Sequence, residues 1–256
     1  MKEGSKAEMA RKMVPALILA GGLGTRLSSL FRNYPKALAP IAGKPFLEYL
    51  LLYLKKHGFF DIVLCVGYKA DLIQRYCQDG KQWGMSIRYS REQMPLGTAG
   101  PLKVAGPLIP ATDFLVLNGD SFFNIDLNTL VRYHKSRKAL ATIALAKVNN
   151  AQRYGTVEVD SRGKIVKFIE KEQTEKAGLI NGGIYVFHRK VLDLIPEGRA
   201  VSLEYEIFPK LVGKAFYGLP FEAYFVDIGV PEDYLELQAD PSRLLAAVTE
   251  RREEPC

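Results

Sequence analysis

The chain has 256 residues, of which 48% are hydrophobic and 25% are charged, and its formal net charge is +7. This length and composition can build one large core, and the sequence has no apolar run of about eighteen residues that would cross a membrane. The positive charge favours anionic ligands, but the Lys and Arg residues are scattered, which argues against nucleic acid as a partner. The three cysteines, Cys65, Cys77 and Cys256, match no metal or redox motif, and the first apolar run is too short for a signal peptide, so a cytoplasmic protein is expected.

Strands and helices are predicted to alternate through the first half of the chain. Residues 1–13 are polar and predict a disordered extension. The segments that follow predict, in order, a strand at "ALILA", a helix at "PFLEYLLLYLKKHG", a strand at "DIVLCVG", a helix at "ADLIQRYCQ", strands at "SIRYSRE" and "DFLVLNGD", and a helix at "DLNTLVRYHKSRK" with Asp126 as its N-cap. Apolar strands alternating with helices predict a parallel sheet covered on both faces.

After about residue 140 the pattern predicts shorter strands with more antiparallel character. These strands are "ATIALAKV", "GTVEVD", "KIVKFIE" and "GGIYVF", and residues 161–164 predict a hairpin turn between the second and the third. A helix at "SLEYEIFPKLV", a strand at "EAYFVDIG" and a final helix over about 231–247, beginning at Pro231, complete the chain.

A glycine-rich segment, "LILAGGLGTRL", follows the first predicted strand. Its glycines let the backbone approach a phosphate group closely, and Arg26 adds forked donors suited to the β- and γ-phosphates of a nucleoside triphosphate. A P-loop is excluded because no Lys-Ser or Lys-Thr follows the glycines. A dinucleotide fingerprint is excluded because Leu27 replaces its third glycine and the second strand ends in glycine instead of an acid.

This segment and the "YPKAL" that follows it resemble the signature of the sugar-1-phosphate nucleotidyltransferases. The resemblance runs from Ala16 to about Tyr234 and includes "PLGTAGPL", "VLNGDSFF", "RYGTVEVD", "FIEK", "LINGGIYVF", "SLEYEIFPKL" and "FVDIGVPEDY". The motifs "NGGIYVF", "SLE" and "VDIGVPEDY" resemble most closely the D-glycero-α-D-manno-heptose 1-phosphate guanylyltransferases, with the N-acetylmuramate 1-phosphate uridylyltransferases second.

The resemblance implies an α/β fold with a Rossmann-like, mostly parallel twisted sheet and helices on both faces. This is the glycosyltransferase-A-like nucleotidyltransferase fold, with a smaller sugar-binding lobe. A single nucleotidyltransferase domain is expected over residues 14–248. Its nucleotide-binding half would cover about 14–125, its sugar-binding half about 126–230, and its C-terminal helix about 231–247.

The implied reaction converts a nucleoside triphosphate and a sugar 1-phosphate into a nucleoside diphosphate sugar and pyrophosphate. The attacking phosphate oxygen is already an anion, so cations and a metal are needed more than a general base. GTP and heptose 1-phosphate are the favoured substrates, in a pathway for capsule, lipopolysaccharide or S-layer glycans. The alternatives are UTP with N-acetylmuramate 1-phosphate, a mannose or glucose 1-phosphate nucleotidyltransferase, and a regulatory homologue without activity.

Four charged residues are the expected catalytic set: Arg26, Lys36, Asp120 and Asp227. Arg26 would stabilise the leaving pyrophosphate, and Lys36 would reach the triphosphate or the incoming sugar phosphate. The two aspartates each follow an apolar strand, and ligands of open α/β sheets bind at strand carboxyl ends, so together they would hold Mg²⁺. Arg26→Ala is expected to lower kcat more than it weakens ground-state binding.

The resemblance also assigns two sets of binding residues. The nucleotide set is Ala20, Gly21, Gly22, Gly24, Thr25, Gly97, Thr98 and Asn118, with the hydroxyl of Thr98 available to the base and Asn118 near the ribose. Carbonyls of residues 93–99, or Glu92, would accept hydrogen bonds from guanine. The sugar set is Gly155, Glu170, Lys171, Asn181 and Gly182, while Glu204 is either a sugar ligand or part of a capping segment. Self-association is left open.

Overall fold

The computed structural model of the protein describes residues 14–22, 34–169 and 176–249. Its strands are β1 Ala16–Leu19, β2 Pro40–Ile41, β3 Lys44–Pro45, β4 Asp61–Val66, β5 Ser86–Arg91, β6 Asp113–Asn118, β7 Ser121–Phe123, β8 Ala141–Val148, β9 Thr156–Val159, β10 Ile165–Ile169, β11 Gly178–His188, β12 Phe216–Phe221 and β13 Phe225–Asp227. Its α-helices are α1 Phe46–Lys56, α2 Ala70–Cys77, α3 Gly100–Ala105, α4 Leu127–Ser136, α5 Phe208–Leu211, α6 Pro231–Ala239 and α7 Ser242–Val248.

Nine strands form one sheet, in which β10, β9, β11, β6, β1, β4 and β5 are neighbours in that order, while β8 pairs with β11 and with β12. The strands β6, β1, β4 and β5 are parallel, as predicted. Strand β11 runs antiparallel to β6, β8 and β9, which gives the second half of the chain its predicted antiparallel character. The sheet is continuous through both halves.

Buried side chains cover both faces of this sheet. In β1, Ala16 and Ile18 pack on the face that carries α1, α2, α4, α6 and α7, while Leu17 packs on the opposite face with α3 and α5. All three of these residues are fully buried. A strand buried on both faces must be apolar at consecutive positions, which explains why "ALILA" shows no polar alternation. Among the described residues, no helix combines the length and the apolar character needed to span a membrane.

The C-terminal helix differs from its prediction. The segment 231–247 forms two helices, α6 and α7, with a break at Asp240 and Pro241. Proline has no N–H for the helix and disfavours helical geometry in the residue before it. The carboxylate of Asp240 then accepts a hydrogen bond from the N–H of Ser242, at the first residue of α7.

The segment "SLEYEIFPKLV" also differs from a regular helix. Residues Leu203–Ile207 form a π-helical turn, and α5 follows it directly. Ser202 caps the turn, because its hydroxyl accepts hydrogen bonds from the N–H groups of Glu204 and Tyr205. Strand β12 was not predicted.

A short antiparallel ribbon stands beside the main sheet and positions the site. It consists of β7 and β13, in which Asp227 pairs with Ser121 and Phe225 with Phe123. Strand β7 begins just after the carboxyl end of β6, so the ribbon brings a late segment of the chain to the edge where the parallel strands end.

Candidate active site at the carboxyl ends of the parallel strands

Asp120 and Asp227, predicted as a pair, lie near each other: Asp120 directly precedes β7, and Asp227 ends β13 opposite Ser121. Asp120 follows Gly119, whose N–H bonds the carbonyl of Leu19 at 3.0 Å; a side chain at Gly119 would stand 2.5 Å from that oxygen. The backbone carbonyl of Asp120 in turn accepts the N–H of Ile228 at 2.9 Å. The glycine and the ribbon together fix the positions of both carboxylates.

The two carboxylates also interact electrostatically. Burial, and after it the negative charge of Asp120, raise the pKa of Asp227 to about 6, while Lys36 and the N–H of Gly229 act in the opposite direction. Two carboxylates held close together in a partly buried place favour a cation between them. They supply the hard oxygen ligands that Mg²⁺ prefers, and waters and phosphate oxygens would complete its coordination. Among the described residues, no cluster of three or more His, Cys, Asp or Glu could hold a metal by itself.

Lys36 supplies a cation at this position. It begins a short 3₁₀ turn, Lys36–Leu38, which is anchored by the buried side chains of Ala37 and Leu38. Its Nζ lies 2.7 Å from Oδ2 of Asp120. A side chain at Gly229 would collide with this amine, so the glycine leaves the space that Lys36 occupies.

The predicted nucleotide residues Ala20, Gly21 and Gly22 follow β1 at the same edge. The carbonyl of Gly21 accepts the N–H of Tyr68 at 3.3 Å, which ties this segment to the turn after β4. Glu92 lies against Gly21: a Cβ there would stand 2.6 Å from its Oε1. An open cavity of about 210 Å³ is lined by Gly21, Gly67, Tyr68 and residues 92–95.

Glu92 is the carboxylate of this cavity. Burial raises its pKa, and the N–H of Leu96, which bonds Oε2 at 3.2 Å, partly opposes the increase. From the sequence alone, Glu92 is only one of several predicted acceptors for guanine. The signal that distinguishes it is its position directly after β5, at the carboxyl edge of the sheet.

The segment 96–100 is held by backbone bonds to residues near 201. Gly97 has φ +74°, and a Cβ there would stand 2.5 Å from the carbonyl oxygen of Val201. The N–H of Ala99 bonds that carbonyl at 2.9 Å, and the N–H of Val201 bonds the carbonyl of Leu96 at 2.9 Å. Gly97 is therefore required for this close approach of two backbones.

The hydroxyl of Thr98, which sequence reasoning made available to the base, is turned inward. It donates to Oε2 of Glu204 at 2.8 Å and accepts from the N–H of Leu203 at 2.8 Å. Ser202 donates to the same carboxylate oxygen. Thr98 therefore links the segment 96–100 to the π-helical turn, and Glu204 is part of that link.

Two of the predicted sugar residues, Asn181 and Gly182, lie at an irregularity in β11. The pairing of β11 with β8 shifts register between Asn181 and Tyr185, where β11 has two more residues than β8. Asn181 donates from Nδ2 to the hydroxyl of Tyr185 at 2.8 Å and accepts from the N–H of Gly183 at 3.0 Å. Gly182 is buried beneath the ring of Phe123, so packing explains its lack of a side chain.

Of the remaining predicted residues, Gly155 precedes Thr156, which pairs with Ile180 of β11, so it lies beside Asn181. Gly155 lies between β9 and Tyr154, whose hydroxyl bonds Asp233 at 3.3 Å. Gly24, Thr25, Arg26, Glu170 and Lys171 lie outside the described residues, as does the 1–13 extension, and their roles stay predictions.

The three histidines contact groups outside the candidate site. His57 packs edge-on against Tyr53, and His188 accepts a hydrogen bond from the N–H of Lys190. His134 is buried, and its Nδ1 lies 2.9 Å from the hydroxyl of Thr142.

Comparison with known proteins gives one family. The model of the nucleotidyl transferase family matches residues 15–243. The D-glycero-alpha-D-manno-heptose 1-phosphate guanylyltransferase of Campylobacter jejuni is 43% identical over 222 residues, which cover 86% of this chain and 96% of the relative. The mannose-1-phosphate guanylyltransferase of Mycobacterium tuberculosis is 39% identical over 242 residues, which cover 93% of this chain and 67% of that relative.

The fold is likewise that of a solved relative. The structure of HddC from Yersinia pseudotuberculosis complexed with GMP-PN has a TM-score of 0.81 and 33% identity, over 90% of this chain and 100% of that chain. The predicted nucleotidyltransferase fold is therefore confirmed.

Proposed function

The chain belongs to the nucleotidyl transferase family, and from that premise we propose that it transfers a guanylyl group from GTP to a heptose 1-phosphate. The products are a GDP-sugar and pyrophosphate. An oxygen of the sugar phosphate forms a new bond to the α-phosphorus of GTP, and the bond from that phosphorus to the β-phosphate oxygen breaks. The names of the relatives from C. jejuni and M. tuberculosis support a guanylyl group as the one transferred.

The observation that carries the proposal is the group of Lys36, Asp120 and Asp227 at the carboxyl edge of the sheet. In-line transfer between two anionic substrates requires charge neutralisation and alignment. Asp120 and Asp227 would hold Mg²⁺, which neutralises phosphate charge when it is bound. Lys36 would release Asp120 and bind a phosphate oxygen of a substrate. Arg26, next in the glycine-rich segment, would stabilise the leaving pyrophosphate.

The cavity beside Gly21 supports guanine as the base. Guanine presents two neighbouring donors, N1–H and N2–H₂, and a carboxylate can accept from both. Glu92 is a carboxylate at the wall of this cavity, and its Oε1 carries no bond from the N–H of Leu96. Uracil has one such donor and would leave part of the carboxylate's capacity unused.

The cellular setting follows from the same reaction. We propose that the enzyme works in the cytoplasm, uses Mg²⁺, and supplies an activated heptose for capsule, lipopolysaccharide or S-layer glycans. Small-molecule substrates are its partners, and nucleic acid is not one of them.

The first experiment measures pyrophosphate released from GTP, ATP, UTP and CTP, each with heptose, mannose, glucose and N-acetylmuramate 1-phosphates. GTP with heptose 1-phosphate is expected to give the highest kcat/KM. Faster turnover of UTP, or of N-acetylmuramate 1-phosphate, would overturn the substrate assignment and leave nucleotidyl transfer intact. No pyrophosphate from any pair would overturn the proposed reaction itself.

A second experiment tests the role of Glu92. Inosine triphosphate lacks the N2 amino group, so the ratio of kcat/KM for GTP to that for inosine triphosphate measures recognition of that group. Glu92→Gln is expected to reduce this ratio by about 10-fold, because an amide offers one acceptor where the carboxylate offers two. Glu197→Gln, which changes an exposed carboxylate paired with Lys103, is the matched control and is expected to leave the ratio unchanged.

A further inference from the structure

Tyr185 is a fully buried tyrosine at the centre of the sheet. It lies on β11, opposite Val116 of β6 on one side and Ile143 of β8 on the other. Its ring is 5.5 Å from that of Phe187 and 5.6 Å from that of Phe208. These neighbours would accommodate a phenylalanine equally well, so packing does not explain the hydroxyl.

The hydroxyl of Tyr185 contacts one residue from each half of the candidate site. It accepts a hydrogen bond from Nδ2 of Asn181 at 2.8 Å, and it interacts with the side chain of Asn118. Asn118 ends the parallel strand β6, whereas Asn181 lies where the register of β11 shifts. Burial holds the pKa of Tyr185 above its ordinary value, and the nearby charge of Glu204 adds to this, so the hydroxyl keeps its proton at neutral pH.

The orientation of Asn181 depends on this contact. Its Nδ2 is held by Tyr185 and its Oδ1 by the N–H of Gly183 at 3.0 Å, so the amide cannot rotate without losing both bonds. An amide has two N–H donors and two lone pairs on its oxygen, so one of each remains for a ligand.

We infer that Tyr185 is a positioning residue, whose hydroxyl orients Asn118 toward the nucleotide and Asn181 toward the sugar. This inference rests on the proposed function, since it takes Asn118 and Asn181 as substrate contacts. A single buried hydroxyl then sets the geometry of two binding groups that come from distant parts of the chain. Misplacement of a substrate by about 1 Å can slow a reaction by ~10²-fold, so such control has a large effect on rate.

The test is Tyr185→Phe, with Tyr49→Phe as its matched control. Tyr49 is also buried, and its hydroxyl donates to the carbonyl of Ile41 at 2.7 Å; neither residue is a predicted substrate contact. Each variant removes one buried hydroxyl that makes a hydrogen bond, so urea denaturation is expected to give similar losses of stability. In contrast, kcat/KM is expected to fall by at least about 10-fold in Tyr185→Phe and to stay within about twofold of wild type in Tyr49→Phe.

Two further measurements separate positioning from a general loss of structure. Asn181→Ala removes the side chain that Tyr185 orients, so adding Tyr185→Phe to it is expected to change the KM for the sugar phosphate less than Tyr185→Phe does alone. The dissociation constant of GTP, measured without sugar, is expected to rise in Tyr185→Phe through Asn118. This binding measurement can be made even if the wild-type protein turns over no sugar phosphate. The role of Tyr185 and the proposed function can therefore fail separately.

Three results would overturn the inference. The first is a Tyr185→Phe variant whose kinetics and GTP affinity match those of Tyr49→Phe. The second is full additivity of Tyr185→Phe and Asn181→Ala. The third is failure of Tyr185→Phe to fold where Tyr49→Phe folds, because the hydroxyl would then have a structural role.

Discussion

Gly229 leaves the space in which the amine of Lys36 lies, and Gly229→Ala is expected to slow nucleotidyl transfer by about 100-fold. A Cβ at this position would overlap Nζ of Lys36 and stand 2.7 Å from Oδ1 of Asp227. Ordinary contact begins near 3.4 Å, so the flexible end of Lys36 must move by roughly 1 Å. This movement displaces the amine, which lies 2.7 Å from the carboxylate of Asp120 in the wild type. A 100-fold loss corresponds to about 2.7 kcal/mol of transition-state stabilisation.

Folding is expected to tolerate the same change. Gly229 does not have a positive φ, so alanine can adopt its backbone conformation. Replacing glycine with alanine at such a position also reduces the entropy of the unfolded chain, which stabilises a protein by about 0.4–1 kcal/mol. This gain offsets part of the cost of displacing Lys36, and the free energy of unfolding is expected to change by less than about 1 kcal/mol.

The assay compares pyrophosphate release with urea denaturation for Gly229→Ala and for a control, Gly106→Ala. A Cβ at Gly106 would meet Leu192 at 3.4 Å, an ordinary contact away from the predicted substrate residues. The control is expected to keep wild-type rate and stability. Wild-type kcat/KM in Gly229→Ala would refute the reasoning, since the position of Lys36 would then not matter. A large loss of stability would refute it as well, because the change in rate would follow from unfolding.

Three other changes test separate parts of the structure. Asp120→Ala or Asp227→Ala is expected to lower turnover at limiting Mg²⁺ by at least ~10²-fold, and a chelator is expected to abolish turnover of the wild type; near-wild-type turnover in either variant would exclude a metal role. Thr98→Val, which breaks the link to Glu204, is expected to raise the KM for the nucleotide by about 10-fold, whereas Thr98→Ser is expected to keep it; equal effects would assign the loss to the methyl group. Burial lowers the pKa of His134 to about 4, against the opposing charge of Asp113, so the unfolded chain gains a proton near pH 6.5 that the folded protein does not. Stability is therefore expected to fall by about 2 kcal/mol between pH 7 and pH 5 in the wild type, and by less in His134→Gln, as urea denaturation at the two pH values would measure.

The paired aspartates could be predicted because their signal is local. Asp120 and Asp227 each follow an apolar run, and ligands of an open α/β sheet bind at the edge where such strands end. The contact of Lys36 with Asp120 could not be predicted in this way. It depends on the ribbon of β7 and β13, whose strands have three residues each and are too short to show a period.

The contacts of Thr98 and Tyr185 were not predicted from the sequence, for a different reason. Thr98 is turned inward because residues 201–204 pack against it, and nothing near Thr98 in the sequence indicates this partner. Tyr185 lies in the apolar run "GGIYVF". The hydrophobic pattern of this run predicts that the ring is buried but indicates nothing about the hydroxyl. A hydroxyl at a position predicted to be fully buried was nevertheless a usable signal, because buried polar atoms require partners. The break between α6 and α7 was similarly visible in Pro241.

The ribbon of β7 and β13 also has a consequence for how activity arises as the chain folds. Strand β7 lies near the middle of the chain and β13 near its end. Because their pairing closes a long loop, it is expected to be slow. A nascent or refolding chain can pair its central parallel strands before Asp227 has reached its place beside Asp120. Turnover would then appear only when the ribbon forms, and recovery of activity on refolding would report the pairing of β7 with β13 and not the formation of the core. A metal–nucleotide complex that bridges both carboxylates would favour this closure, and so would stabilise a long-range contact of the chain.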